Sequence, residues 1–172
     1  SSIREQGMST PGGSDGGQPA GDTPHLRVLA QYVKDLSFEN PTAAAGVRQG
    51  EAAPAIDMGI DVNARPLQDG EAYEVDLRIG AKAMRGEDVM FITELVYSGV
   101  FQFVNVPTED VEPLLLIECP RLLFPFSRRL LAEVTREGGY PPLLIDPIDF
   151  AALYRAQLRD RQAKNGATPP PA

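Results

Sequence analysis

The sequence predicts an α+β protein in which three or four antiparallel strands come first and helices follow. Three observations support this. Apolar and polar residues alternate over 55–62 and 73–83, the period of half-buried strands. The longer run 89–106 is apolar at both parities. Later, Leu123, Phe126, Leu130 and Val134 recur at helical spacing and share one face.

Residues 1–24 are rich in Gly, Ser, Pro and Thr. They cannot bury enough apolar area to offset the entropy of ordering, so a disordered tail is expected. Within it, residues 1–7 precede Met8 and are set aside as an appended segment. The folded domain is expected over 25–164, and the Pro-rich stretch 165–172 as a second tail. The first strand falls in 26–39, with Tyr32, Lys34, Leu36 and Phe38 at one parity and Asp35, Ser37 and Glu39 at the other. On such a strand Asp35 and Glu39 stand about 13 Å apart. Paired glycosidase carboxylates need about 5–9.5 Å. Two readings remain, a solvated strand face or an acidic docking stripe. Residues 40–54 form an Ala/Gly-rich connection of a length that is usually functional or mobile.

In the second strand Ile56, Met58, Ile60 and Val62 share one face, and Asp57, Gly59 and Asp61 the other. Gln68-Asp69-Gly70 signals a turn. In the third strand Tyr73, Val75, Leu77, Ile79, Ala81 and Ala83 point inward, while Glu74, Asp76, Arg78 and Lys82 point outward. After a turn at 85–88, the fourth strand puts Phe91, Leu95, Tyr97, Phe101 and Phe103 on one face. Met90, Ile92, Val96, Val100, Val104 and Val106 lie on the other. A strand apolar on both faces is covered on both. Too little helix follows to do this within one chain, so another subunit is the expected cover. Ser98-Gly99 suggests a bulge midway. Glu94, the lone charge in the run, is expected at a strand edge or rim.

Thr108 can cap a short helix over 108–118, with Glu109 and Asp110 in its first turn. Pro120 is expected to break the chain before a main helix over 124–137. Pro125 would sit in the first turn of that helix, and Gly138-Gly139 would stop it. The main helix is either a core helix or also part of a subunit interface. After an extended stretch at 140–145, Asp146 as cap and Pro147 at the first position open a last helix carrying Phe150, Leu153, Tyr154 and Leu158 on one stripe.

The chain has 172 residues, 16 Lys+Arg against 24 Asp+Glu, and a net charge of −8. Residues 1–120 hold 19 acids and 8 bases. So acidic a body argues against nucleic acid, which demands a basic footprint, and suits solubility or a basic partner. Cys119 is the only cysteine and His25 the only histidine. No intrachain disulfide or Cys/His zinc cage can be assembled from them, and a Ser-His-Asp or Cys-His catalytic arrangement would have to use a histidine beside the disordered tail, which is not expected. No Gly-rich phosphate loop is present. With no signal-like segment and no apolar run of about 18 residues, a soluble cytoplasmic protein without cofactor, metal or catalytic residues is expected.

Four stretches in register resemble one family. Tyr32-Val33-Lys34-Asp35-Leu36-Ser37-Phe38-Glu39-Asn40-Pro41 is similar to the first-strand signature of SecB, the bacterial protein-export chaperone. Tyr73-Glu74-Val75 with Leu77-Arg78 resembles its third strand. Cys119-Pro120, Leu123-Phe124-Pro125 and Arg128 resemble its main helix. Pro142-Leu143 through Pro147, Phe150 and Ala152-Leu153-Tyr154 resemble its loop and last helix.

The resemblance implies a four-stranded antiparallel sheet with a long main helix and a C-terminal helix, assembling as a dimer of dimers. The main helices, with Leu123, Phe126, Leu130 and Val134, would form the tetramer seam. It implies an ATP-independent chaperone that keeps unfolded precursor proteins translocation-competent and delivers them to the SecA motor, with no membrane insertion of its own. By the same resemblance Asp35, Glu39, Ile92 and Glu94 match SecA-binding positions. Val47, Ile56, Met58, Ile60, Phe150, Leu153 and Tyr154 match the client-binding groove. The 40–54 connection has no aromatic and the C-terminal tail no acid, two departures from the family pattern. The alternative is a SecB-like chaperone dedicated to one client, such as an antitoxin.

Overall fold

The computed structural model describes residues 23–44, 53–67 and 70–166. Alternation builds four strands, β1 (His25–Glu39), β2 (Ala55–Pro66), β3 (Ala72–Arg85) and β4 (Asp88–Val104). They form one antiparallel sheet in the order β1-β4-β3-β2. The first two strands in sequence are therefore the two edges. Glu39 ends β1 opposite Ile92, and Ala55 begins β2 opposite Met84, both at the end of the sheet where β3 turns into β4. The connection between them spans three strand spacings, roughly 14 Å, which gives the long 40–54 stretch a topological reason.

The helical part departs from the predicted breaks. α1 (Thr108–Pro113), a π turn (Leu114–Glu118) and α2 (Cys119–Glu137) run on without interruption, and each junction residue keeps right-handed helical angles. Pro120 does not break the helix, and Pro125 lies in the interior of α2 rather than in its first turn. A proline removes an i→i−4 bond and crowds the preceding turn. The π turn immediately before Pro120 rearranges the bonding to i→i−5, so the chain passes it without stopping. α3 (Phe150–Gly166) starts later than expected. Its cap is Asp149, whose Oδ1 accepts the Ala152 N–H at 3.0 Å, and Asp146-Pro147 belongs to the extended segment ahead of it.

α2 packs on one face of the sheet through Cys119, Leu123, Ser127, Leu131 and Thr135, all buried. This ridge repeats every four residues. Its two hydroxyls bond back to the helix, Ser127 to the Leu123 carbonyl at 3.0 Å and Thr135 to the Leu131 carbonyl at 2.9 Å, so they sit in the core satisfied. Opposite the ridge lie Val75, Leu77, Ile79, Leu95, Tyr97 and Phe101. The expected bulge at Ser98-Gly99 is absent, because β4 pairs through both residues without a shift. Gly99 serves close approach instead. A Cβ there would stand 2.7 Å from the Phe101 ring and 3.0 Å from Leu123. The irregularities fall elsewhere, between Val28 and Ala30 and between Val33 and Asp35 in β1, and between Ala83 and Met84 in the β3–β4 pairing. The extended segment after α2 is tied back to it. Arg128 Nε donates to the Ile145 carbonyl at 2.9 Å, and Thr135 Oγ1 accepts the Leu143 N–H at 2.9 Å.

Candidate functional site

The face of the sheet away from α2 carries no helix or strand over it among the described residues. The bulge at Lys34 decides what β1 presents there. It carries Tyr32 to this face and leaves Leu36 and Phe38 on the helix side, so the predicted grouping of Tyr32 with Leu36 and Phe38 does not hold. Beyond the bulge, Asp35 pairs with Val96, Ser37 with Glu94 and Glu39 with Ile92. Asp35, Glu39, Ile92 and Glu94 thus come together on one open face. Asp35 and Glu39 are exposed and have no ion-pair partner among the described residues. Ile92 is 37% exposed. Glu94 lies on an interior strand rather than at an edge, and the Arg78 guanidinium pairs with it. The open parity of β4 is also less apolar than the sequence reading had it, since Glu94, Ser98 and Gln102 alternate with Ile92, Val96 and Val100.

Next to this acidic corner sits a neutralised network. Lys34 Nζ lies 2.7 Å from Glu74 and 3.1 Å from Asp76. Arg65 pairs with the same two carboxylates. The Tyr32 hydroxyl donates to Glu74, and the Ser98 hydroxyl donates to Asp76 at 2.6 Å. Burial works to raise the Asp76 carboxyl, but the Ser98 hydrogen bond and the Lys34 and Arg65 charges outweigh it and hold its pKa below the ordinary value. Burial, with help from Asp76, raises the Tyr32 phenol, which keeps it a donor. Sequence reading missed this network, because only the one-residue bulge at Lys34 brings Tyr32 and Lys34 to the side of Glu74 and Asp76. Lys34 and Arg65 are spent on these two acids, and the exposed Asp35, Glu39 and Ile92 and the half-buried Glu94 lie just beyond them.

The second candidate surface lies on the helix side. β2 and α3 both pack against the π turn. Val62, Ala64, Leu115 and Leu116, with Glu112, Gln157, Asp160, Arg161 and Lys164, line a crevice of about 510 Å³. An Arg161–Glu112 ion pair ties α3 to α1 across its mouth. None of the described groove candidates is among the walls of this crevice; beside it Ile56 is 42% exposed, and Met58, Ile60, Leu153 and Tyr154 are half-buried. Val47 lies outside the described residues. Phe150 is a core residue, 1% exposed and edge-on to Phe124 at 6.2 Å. It supports this region from beneath and does not line it, a correction that hydropathy alone could not supply because core and groove residues look alike.

The main-helix set Leu123, Phe126, Leu130 and Val134 is divided. Leu123 points into its own sheet, 0% exposed, while Phe126 is 49% exposed and stacks on Tyr97 at 6.0 Å. Leu130 and Val134 are half-buried. Leu122 and, on the neighbouring edge strand, Val28, Val33 and Leu36 are also exposed. Val33 pairs across the ladder with Tyr97, the residue under Phe126. The side of α2 toward β1 is therefore an uncovered apolar surface. Burial pushes the Cys119 thiol up to about 12, with Glu118 adding to it, so it is a protonated core residue and no nucleophile.

No cluster of potential metal ligands occurs among the described residues. No described helix is long and apolar enough to cross a membrane. Residues 19–161 match the family model for SecB, preprotein translocase subunit SecB. Relatives called protein-export protein SecB include one from Maricaulis maris, 60% identical over 144 residues (84% of this chain and 83% of that protein). Another, from Hyphomonas neptunium, is 56% identical over 161 residues (92% and 95%). A third, from Caulobacter vibrioides, is 52% identical over 160 residues (91% and 94%). Among solved structures, a SecB-like chaperone of Mycobacterium tuberculosis bound to an antitoxin peptide superposes with a TM-score of 0.56 at 11% identity, covering 72% of this chain and 90% of that one. That likeness reports the fold. With a family model covering most of the sequence and relatives above half identity, the chain belongs to the SecB family of protein-export chaperones.

Proposed function

We propose that this SecB-family chain is an ATP-independent cytoplasmic holdase that binds unfolded precursor proteins and hands them to SecA. The observation that carries the reading is the separation of two surfaces on opposite sides of one sheet. One is acidic and uncovered, with Asp35, Glu39, Ile92 and Glu94 gathered on it. The other is the helix-side surface of β2 and α3 that carries Ile56, Met58, Ile60, Leu153 and Tyr154, beside the crevice at the π turn. A basic segment of SecA docks on the first, and client side chains enter the second through Ile56, Met58, Ile60, Leu153 and Tyr154. Burial of client apolar surface gains about 25 cal/mol per Å². Met and aliphatic walls adapt to many sequences. No bond is made or broken.

Working copies form a homotetramer, a dimer of dimers. The exposed Leu122 and Phe126 of α2 and Val28, Val33 and Leu36 of β1 support this. A hydrophobic edge strand left open is an aggregation template, and a second copy is the cover that removes the hazard. Several grooves on one particle then add avidity. The dedicated-antitoxin alternative is not favoured. The relatives above half identity are export proteins, and the structure with an antitoxin peptide shares only the fold.

The test is aggregation of an unfolded precursor followed by light scattering without ATP, together with calorimetry against SecA. Suppression by the protein, and weaker SecA binding by Asp35→Ala and Glu94→Ala with client binding intact, is the expected result. A stable monomer with no effect on aggregation rules out the holdase. Unchanged SecA affinity in both variants rules out the docking face.

A further inference from the structure

Two glycines on the open face are not required by anything in the described residues. Gly59 of β2 and Gly80 of β3 are direct cross-strand partners, and Gly80 is in turn opposite Glu94 of β4. Neither has a positive φ, so the backbone does not require glycine at either place. A Cβ on Gly59 would meet nothing within 4 Å, and one on Gly80 only the Thr93 carbonyl oxygen at 3.9 Å. Internal packing does not require glycine either, in contrast to Gly99. Glycine in a strand interior weakens the strand through backbone entropy, and its usual reason is the close approach of something else.

The missing side chains leave a depression of about 300 Å³ in the open face, with Asp57, Lys82, Ile92 and Glu94 among its walls. Two of those walls are docking candidates, so the depression is continuous with the docking face. Its charge is one-sided. On this half of the face Asp35, Glu39, Asp57 and Asp61 have no ion-pair partner among the described residues, against Lys82 alone among the bases. Ile92 adds an apolar wall beside the two glycines.

We infer that Gly59 and Gly80 form a specificity notch that seats one bulky side chain of the basic SecA segment docking on this face. The inference deepens the docking reading and rests on it. The surrounding carboxylates attract the segment over a distance. The notch then fixes its register, because only a chain presenting its bulky residue opposite Gly59 and Gly80 settles flat on the sheet. Shape exclusion of this kind discriminates between equally basic segments, which charge alone cannot do.

The experiment measures SecA binding by calorimetry at one fixed salt concentration for the intact protein, Gly59→Val, Gly80→Val, Gly59→Ala and Asp35→Ala. The glycine-to-valine variants are expected to keep their melting temperature or raise it, and to suppress precursor aggregation as before, while SecA affinity falls about tenfold, the scale of a displaced interface anchor. Gly59→Ala, with a Cβ that meets nothing, is expected to fold unchanged and lose less. If Asp35→Ala weakens SecA but both valine variants bind within about twofold of the parent, the notch is overturned and the docking face stands. If Asp35→Ala and the valine variants all bind as the parent does, the docking face itself is overturned and the notch with it.

Discussion

Gly99 and Thr135 set how closely α2 sits on the sheet. At Gly99 an added methyl would overlap the Phe101 ring, itself fully buried and unable to swing away. Gly99→Ala is expected to cost about 1–3 kcal/mol by overpacking, seen as a lower denaturation midpoint with the m-value kept. Thr135 accepts the Leu143 N–H and donates to the Leu131 carbonyl. Thr135→Val keeps the shape and strands that N–H, an expected loss of about 1–3 kcal/mol. Neither role was legible in the sequence. Gly99 had suggested a bulge, and a threonine on a helix does not advertise burial. Asp76 gives the pH dependence. Its folded pKa is lowered, so its contribution is complete above the unfolded value of about 3.9 and is lost as pH falls through the folded one. Asp76→Asn is expected to flatten the acid side of the stability-versus-pH curve below about pH 4, measured by urea melts.

At the scale of elements, strands were legible and helix boundaries were not. Ile56, Met58, Ile60 and Val62 alternate without interruption, and their strand formed with the expected faces. β1 failed between its two bulges, since the one at Lys34 reverses parity until the one between Val28 and Ala30 restores it. A bulge needs no special residue type, so no residue announced it. The helix failed at its prolines, because Pro120 reads as a break unless the π turn ahead of it is known. The main helix nevertheless exposes an apolar side that none of the described residues covers. If the proposed tetramer uses this side, Phe126→Glu is expected to lower the particle mass in light scattering while far-UV circular dichroism keeps its sheet signal. Loss of the sheet signal instead would make Phe126 a core residue of the single chain.

For the whole molecule, the acidic balance was legible from composition, and the arrangement explains how it is used. Lys34 and Arg65 are held by Glu74 and Asp76, and Arg78 by Glu94, which leaves Asp35, Glu39, Asp57 and Asp61 as the field a partner meets. The docking candidates could be matched by resemblance, and parity groups Asp35 with Glu39 and Ile92 with Glu94, but the β1–β4 register that brings the two pairs onto one face could not be read from either strand alone.

The strand order has one more consequence, for the chain as it is being made. β2, β3 and β4 are consecutive hairpins, but β1 pairs only with β4. His25 finds Val104 and Glu39 finds Ile92, so the first strand to leave the ribosome waits for more than fifty further residues before it has a neighbour. Contacts of such separation form late and slowly. During that interval Val28, Leu29, Val33 and Leu36 are an unpaired apolar strand. A protein that shields the nascent strands of others is thus, for the first part of its own synthesis, an unfolded chain of the same kind.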